Sequence, residues 1–170
     1  MRLVEIFYSF PFLVLAVAVM AVLGPSLYNV MLVLGIVSWP IYARLVRGQV
    51  LTLREETFVE AARAVGASNS RILFRHILPN CSSPIIVTAA MQVASAILSV
   101  AALGFLGLGA QPPTPEWGAM LNEGKRFMRN APHLITIPGL AIMLVVLSLN
   151  FIGDALRDAL DPRLRGIEGQ

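Results

Sequence analysis

Histidine, cysteine and serine are the side chains from which metal sites and covalent catalysts are built, and in this chain they stand apart. His76 and His133 are distant in sequence and neither belongs to an HExxH-type spacing, so no metal-binding pair is laid out along one helix face. Cys81 is the one cysteine, which excludes an internal disulfide and a cysteine metal cluster. Ser148 and Asn150 fall in an apolar run without a histidine, so the nucleophile and base of an intramembrane protease are not assembled. The G-x-x-x-x-G-K-[ST] pattern that cradles nucleotide phosphates does not occur, and the chain cannot itself be an ATP-driven motor. No catalytic residue, metal or cofactor is expected. What remains is a polar stretch, EAARAVGASNSRILFRHILPN at 60 to 80, set between strongly apolar runs.

Those runs dominate the composition. Of 170 residues, 56% are hydrophobic and 14% charged, and the mean hydropathy is +0.73, far from a soluble domain and in the range of an integral membrane protein. The formal net charge is +3 with an isoelectric point near 9.6. The arginines flank apolar runs and are not interleaved with stacking aromatics, which argues against nucleic acid and for contact with acidic lipid.

A helix needs about 20 apolar residues to cross hydrocarbon, and no residue between Glu5 and Arg44 is charged. Gly24-Pro25 divides this run, giving a first span over about 6–23 and a second over about 27–46. Pro11 and Pro40 are tolerated as kinks, as in membrane helices generally. A third span covers about 83–110 and stops at Gln111-Pro112-Pro113; a fourth covers about 134–153 and ends at Asp154. A polar loop at 52–80 and another at 111–133 connect them. Against a secretory signal peptide at the start, Glu5 spoils the basic flank and the apolar run is too long.

Lysine and arginine near span ends mark the cytoplasmic side. Arg2, the six arginines from Arg44 to Arg75, and Arg157, Arg163 and Arg165 share one side, whereas Lys125, Arg126 and Arg129 fall on the other. Both termini and the 52–80 loop are therefore expected in the cytoplasm, and segment 111–133 outside.

Within the cytoplasmic loop, Thr57 and Glu60 fit a T-x-x-E capping box, so a helix is expected to start at Phe58. Ala61, Ala62, Ala64 and Val65 continue it and Gly66 ends it through a positive φ. Ser68 or Asn69 caps a second short helix over 70–77 that Pro79 closes. An interfacial helix pair touching lipid would carry large apolar residues on its buried face. Here the first helix offers alanines and a glycine, a low-relief surface that a protein groove approaches closely. Glu60 serves either the cap or a partner.

These residues resemble a known signature. Glu60-Ala61-Ala62, Gly66 four residues after Ala62, and Leu78-Pro79 resemble the EAA motif of the membrane subunits of binding-protein-dependent ABC importers: EAA, three residues, G, nine residues, I-x-L-P. His76 stands at the isoleucine position with Ile77 beside it. SWPIYARLVRGQVLTLREETFVEAARAVGAS at 38–68, GFLGLGAQPPTPEWGAML at 104–121 and NFIGDALRDALDPRLR at 150–165 are similar to the C-type permease of the dipeptide, oligopeptide, nickel and glutathione branch.

The resemblance implies an all-α polytopic bundle of the type I ABC importer permease kind in the inner membrane. Such a subunit forms half of a pathway for peptides or a related small solute (nickel chelate, glutathione) with a sister permease. Two ATP-binding subunits drive it and a solute-binding protein feeds it. Glu60, Ala61, Ala62, Gly66, Leu78 and Pro79 would be the ATPase-coupling residues, and segment 111–133 would lie near the docked binding protein. Family members usually have six spans, and this chain begins at what looks like the third; a truncated, transport-incompetent permease fragment is the alternative.

Other features have simpler readings. Small residues along the third span, from Ala89 to Gly107, favour close helix packing, with a pore lining as the second reading. Gln92 is the strongly polar side chain of that span and points into the bundle, either to a neighbour or to substrate on the pathway. Trp117 suits a headgroup anchor. Asp154, Arg157 and Asp161 are spaced for helix-stabilising pairs.

Overall fold

The computed structural model describes residues 1–160, and their regular elements are helices, joined by turns and by one longer irregular segment over 106–116. Helices α1 (Arg2–Tyr8), α2 (Phe12–Leu23) and α3 (Leu27–Leu53) come first. The polar loop follows as α4 (Thr57–Ala64), α5 (Asn69–Ile72), a π-helical turn over Leu73–Ile77 and α6 (Leu78–Asn80). Then come α7 (Ser82–Phe105), α8 (Trp117–Gly124), a 3-10 turn over Lys125–Phe127 and α9 (His133–Leu160).

Three helices, α3, α7 and α9, are long and apolar enough to cross a membrane, and α1 with α2 makes a fourth if the bent pair is one span. This agrees with the all-α polytopic bundle. The run over 6–23 is not one straight crossing, however: α1 and α2 meet at 88°. Pro11 sits at the N-cap of α2 with φ −57° and ψ 130°, outside the helical region, so the chain turns there rather than kinking within a continuous helix. At about 1.5 Å per residue, α2 alone is about 18 Å long, short of a hydrocarbon core of about 30 Å.

The α2–α3 turn is chemically closed. Gly24 adopts φ +83°, and the Asn29 side-chain amide donates to the carbonyls of Leu23 at 2.9 Å and Gly24 at 3.0 Å. The last carbonyls of α2 thus have side-chain partners. Ala16 and Met20 of α2, Val30 and Val33 of α3 and Leu103 of α7 form one buried cluster.

On the other side, α7 packs along α9, and α8 packs against both. Gly153 of α9 lies over Met91, where a Cβ would stand 3.0 Å from its Cγ. Pro138 lacks the N–H that would bond the Leu134 carbonyl, and that carbonyl faces Gly124, where a Cβ would come within 2.9 Å. Helix α9 continues past the end of the apolar run, through Asp154 to Leu160, as the spacing of Asp154 and Arg157 leads one to expect. The described residues hold one ion pair, Arg54–Glu55 at 3.3 Å, so no Asp154–Arg157 bridge forms; Asp161, with Arg163 and Arg165, lies outside the described residues.

Candidate functional site

The loop between α3 and α7 is a folded platform rather than a flexible connection. Val59 of α4, Ile72 of α5, Ile77 of the π turn and Cys81 are buried together, with Val50 and Leu53 of α3, Ala62, Ala67, Leu73 and Ile85 packed around them. The loop is thereby fixed on the end of α3 and the start of α7 by apolar contact. Burial pushes the Cys81 thiol above its ordinary pKa.

Gly66 closes the first helix by a Schellman motif. Its φ is +79°; its N–H bonds the Arg63 carbonyl at 2.9 Å and the Ala67 N–H bonds the Ala62 carbonyl at 3.0 Å. Those are the 5→2 and 6→1 bonds of the motif, and Ala62 and Ala67 are the two positions whose contact accompanies it. The spacing of Ala62 and Gly66 thus has a local physical cause. No atom lies within 4 Å of a Cβ built on Gly66, so the glycine is required by its backbone angle and not by crowding.

Two expectations are corrected here. The Thr57–Glu60 capping box does not form: α4 begins at Thr57, its N-cap is Glu56, and no side chain caps it. Glu60 is exposed and without an ion pair, which leaves its carboxylate free of the capping role. Pro79 does not close the second helix either. It occupies the first turn of α6, where a missing N–H costs nothing, and the chain runs from the π turn through α6 into α7. The Asn80 side chain donates to the His76 carbonyl at 2.6 Å and Ser82 Oγ to the Pro79 carbonyl at 2.6 Å, bridging the irregular stretch. Ser68 does cap α5, its Oγ accepting from the Arg71 N–H at 3.4 Å.

What the platform presents outward is apolar and cationic. Val65 is 84% exposed and Phe74 70% exposed, and Arg63, Arg71 and Arg75 of the same loop are exposed and form no ion pair among the described residues. Glu60 and Ala61 are exposed and Ala62 half-buried; Leu78 and Pro79 are exposed at the junction with α7.

Gln92 lies elsewhere, half-buried in α7, on the wall of a cavity of about 690 Å³ between α1, α3 and α7. The structure does not bring it near the loop residues.

Segment 111–133 holds a feature that sequence reasoning missed. Glu116 is the N-cap of α8, its carboxylate accepting from the N–H groups of Gly118 at 2.7 Å and Ala119 at 2.8 Å. The same carboxylate fills the space where Gly104 would carry a Cβ, and Gly118 sits directly on the Ala101 carbonyl. The signal was present in P-E-W-G, an acidic residue two positions before a glycine, and in the spaced glycines 104, 107 and 109.

Comparison with known proteins agrees with this architecture. Residues 1–166 match the family described as "Binding-protein-dependent transport system inner membrane component". The dipeptide transport system permease protein DppC of Alkalihalophilus pseudofirmus is 54% identical over 164 residues, which is 96% of this chain and 54% of that protein. The glutathione transport system permease protein GsiD of Escherichia coli O1:K1 / APEC is 54% identical over 166 residues, 98% of this chain and 55% of that one. The chain therefore spans about half the length of these relatives. In fold it is similar to a chain of the methionine ABC transporter MetNI in an inward-facing conformation, with a TM-score of 0.74 at 23% identity, covering 94% of this chain and 73% of that one. With the family matched over nearly its whole length, the chain is a member of the binding-protein-dependent transport system inner membrane component family.

Proposed function

We propose that this chain is the membrane permease subunit of an ATP-driven importer for peptides or a chemically related small solute such as glutathione or a nickel chelate. It sits in the inner membrane with both termini and the 52–80 loop in the cytoplasm. The observation that carries the reading is the platform itself: two short helices locked by a buried apolar cluster on the ends of two membrane-crossing helices, with Val65 and Phe74 displayed outward. A rigid device of this kind transmits a displacement that a flexible loop would absorb.

In this account Glu60, Ala61, Ala62, Gly66, Leu78 and Pro79 form the coupling element that an ATP-binding subunit grips. Val65 and Phe74 enter an apolar groove of that subunit, and the three free arginines meet carboxylates at its rim. A sister permease completes the pathway, two ATP-binding subunits drive it, and a solute-binding protein delivers to the outer face beside α8. The names of the 54%-identical relatives, a dipeptide and a glutathione permease, support the solute class.

Gly66→Pro and Gly66→Trp test the reading. Each should abolish substrate-stimulated ATP hydrolysis by the reconstituted complex while the chain still inserts in the membrane. Normal stimulation in either variant would sink the proposal.

A further inference from the structure

We infer that the cavity between α1, α3 and α7 is a passage site for an amphipathic, amide-bearing solute, with Gln92, Ser95 and Ser99 as its hydrogen-bonding wall; this rests on the permease reading above. The three residues are spaced i, i+3 and i+7 along α7, which places them on one helix face, and all three line the cavity of about 690 Å³. That volume is in the range of small-molecule sites, about 300–1,000 Å³.

Depth is the decisive consideration. Gln92 follows the start of α7 by ten residues, about 15 Å along a helix and hence near the middle of a hydrocarbon core about 30 Å thick. Its side-chain amide has no hydrogen-bond partner among the described residues. An unpartnered amide at that depth is costly against lipid and is sustained by water or by a polar ligand. Ser99 donates to the Ser95 carbonyl at 2.9 Å, which directs its hydroxyl lone pairs outward as acceptors.

The opposite wall is aromatic and fixed. Tyr8, Phe12 and Trp39 line it. Arg44 stacks on the Tyr8 ring at 4.0 Å from its centroid, and Phe7 meets Trp39 edge-on at 5.6 Å, so α1 is clamped to α3 from both directions. Among the described residues, no carboxylate, ammonium or guanidinium lines the cavity. A solute with amides for the polar wall and apolar groups for the aromatic wall fits this chemistry, and nothing in the lining would trap it through a full charge.

The test is solvent access and protection. Ser95→Cys, Ser99→Cys and, on another face of α7, Leu98→Cys are introduced separately into the transporter in nanodiscs, with buried Cys81 as an unreactive background. A charged, membrane-impermeant methanethiosulfonate reagent should modify the first two roughly tenfold faster than Leu98→Cys, since thiolates form in water and not in lipid. Glycyl-phenylalanine or S-methylglutathione should slow that reaction, and Gln92→Leu should remove the slowing. Labelling no faster than at Leu98→Cys, meaning that lipid or protein fills the cavity, or labelling indifferent to both probes, overturns the passage site. Retention of the ATP-binding subunit is scored in the same nanodiscs. A wild-type chain that fails to hold it defeats the permease reading, whereas unprotected cysteines in an assembled complex defeat the passage site alone.

Discussion

Gly66 shows how far one residue can be read without a structure. Its positive φ, its place after four helix-forming residues and its distance from Ala62 all follow from local chain physics, and the Schellman bonds appear where that physics puts them. Gly66→Ala should cost about 1–2 kcal/mol, the strain of a left-handed non-glycine residue, measurable as faster amide exchange at Gly66 and Ala67 with no change at Val59. Thr57 and Glu60 were less legible. Their spacing fits a capping box, but the helix begins one residue earlier and Thr57 is already helical, because burial of Val59 among Ile72, Ile77 and Cys81 sets the phase of α4. Val59→Ala should accordingly loosen the whole platform by about 2 kcal/mol, a core truncation cost, seen as increased proteolysis between Arg54 and Arg71. Unchanged proteolysis would show that the cluster does not hold the loop.

Among the elements, the long apolar helices were visible as composition, since hydrocarbon demands uninterrupted apolar length. Irregular elements were not. The 88° turn between α1 and α2 depends on α1 finding Arg44 and Trp39 on α3 as partners, contacts that no local pattern announces. The π turn over Leu73–Ile77 has the same character: it carries the chain past Pro79 into α7 where sequence rules end the helix. In the sequence, α8 falls within a loop whose Trp117 suits a headgroup anchor, yet in the structure Glu116 caps it and Gly104 and Gly118 let it lie against α7. Glu116→Ala should lower stability by about 1 kcal/mol, a typical cap loss, read as a lower unfolding midpoint in detergent, with Glu116→Asp recovering part of it. Gly118→Val should be worse, because its side chain would enter the space held by the Ala101 carbonyl; a midpoint equal to wild type would contradict the close packing of α8.

On the scale of the whole molecule, large apolar side chains such as Val22, Leu144 and Phe151 are exposed along the bundle, as lipid contact requires. The arginine bias of the sequence is the ground on which the proposal places the 52–80 loop in the cytoplasm. Which macromolecule covers Val65 and Phe74 was not legible from the residues alone, since an exposed apolar pair beside arginines suits a lipid surface as readily as a protein groove. The proposed function takes the protein groove as the occupant. The most direct measurement places a photo-reactive benzoylphenylalanine at Val65, at Phe74 and at buried Val59 in turn and irradiates membranes that also contain the ATP-binding subunit from the same organism. The account predicts adducts with that subunit from Val65 and Phe74 and none from Val59. Adducts with lipid alone, or none at either exposed position, would contradict it.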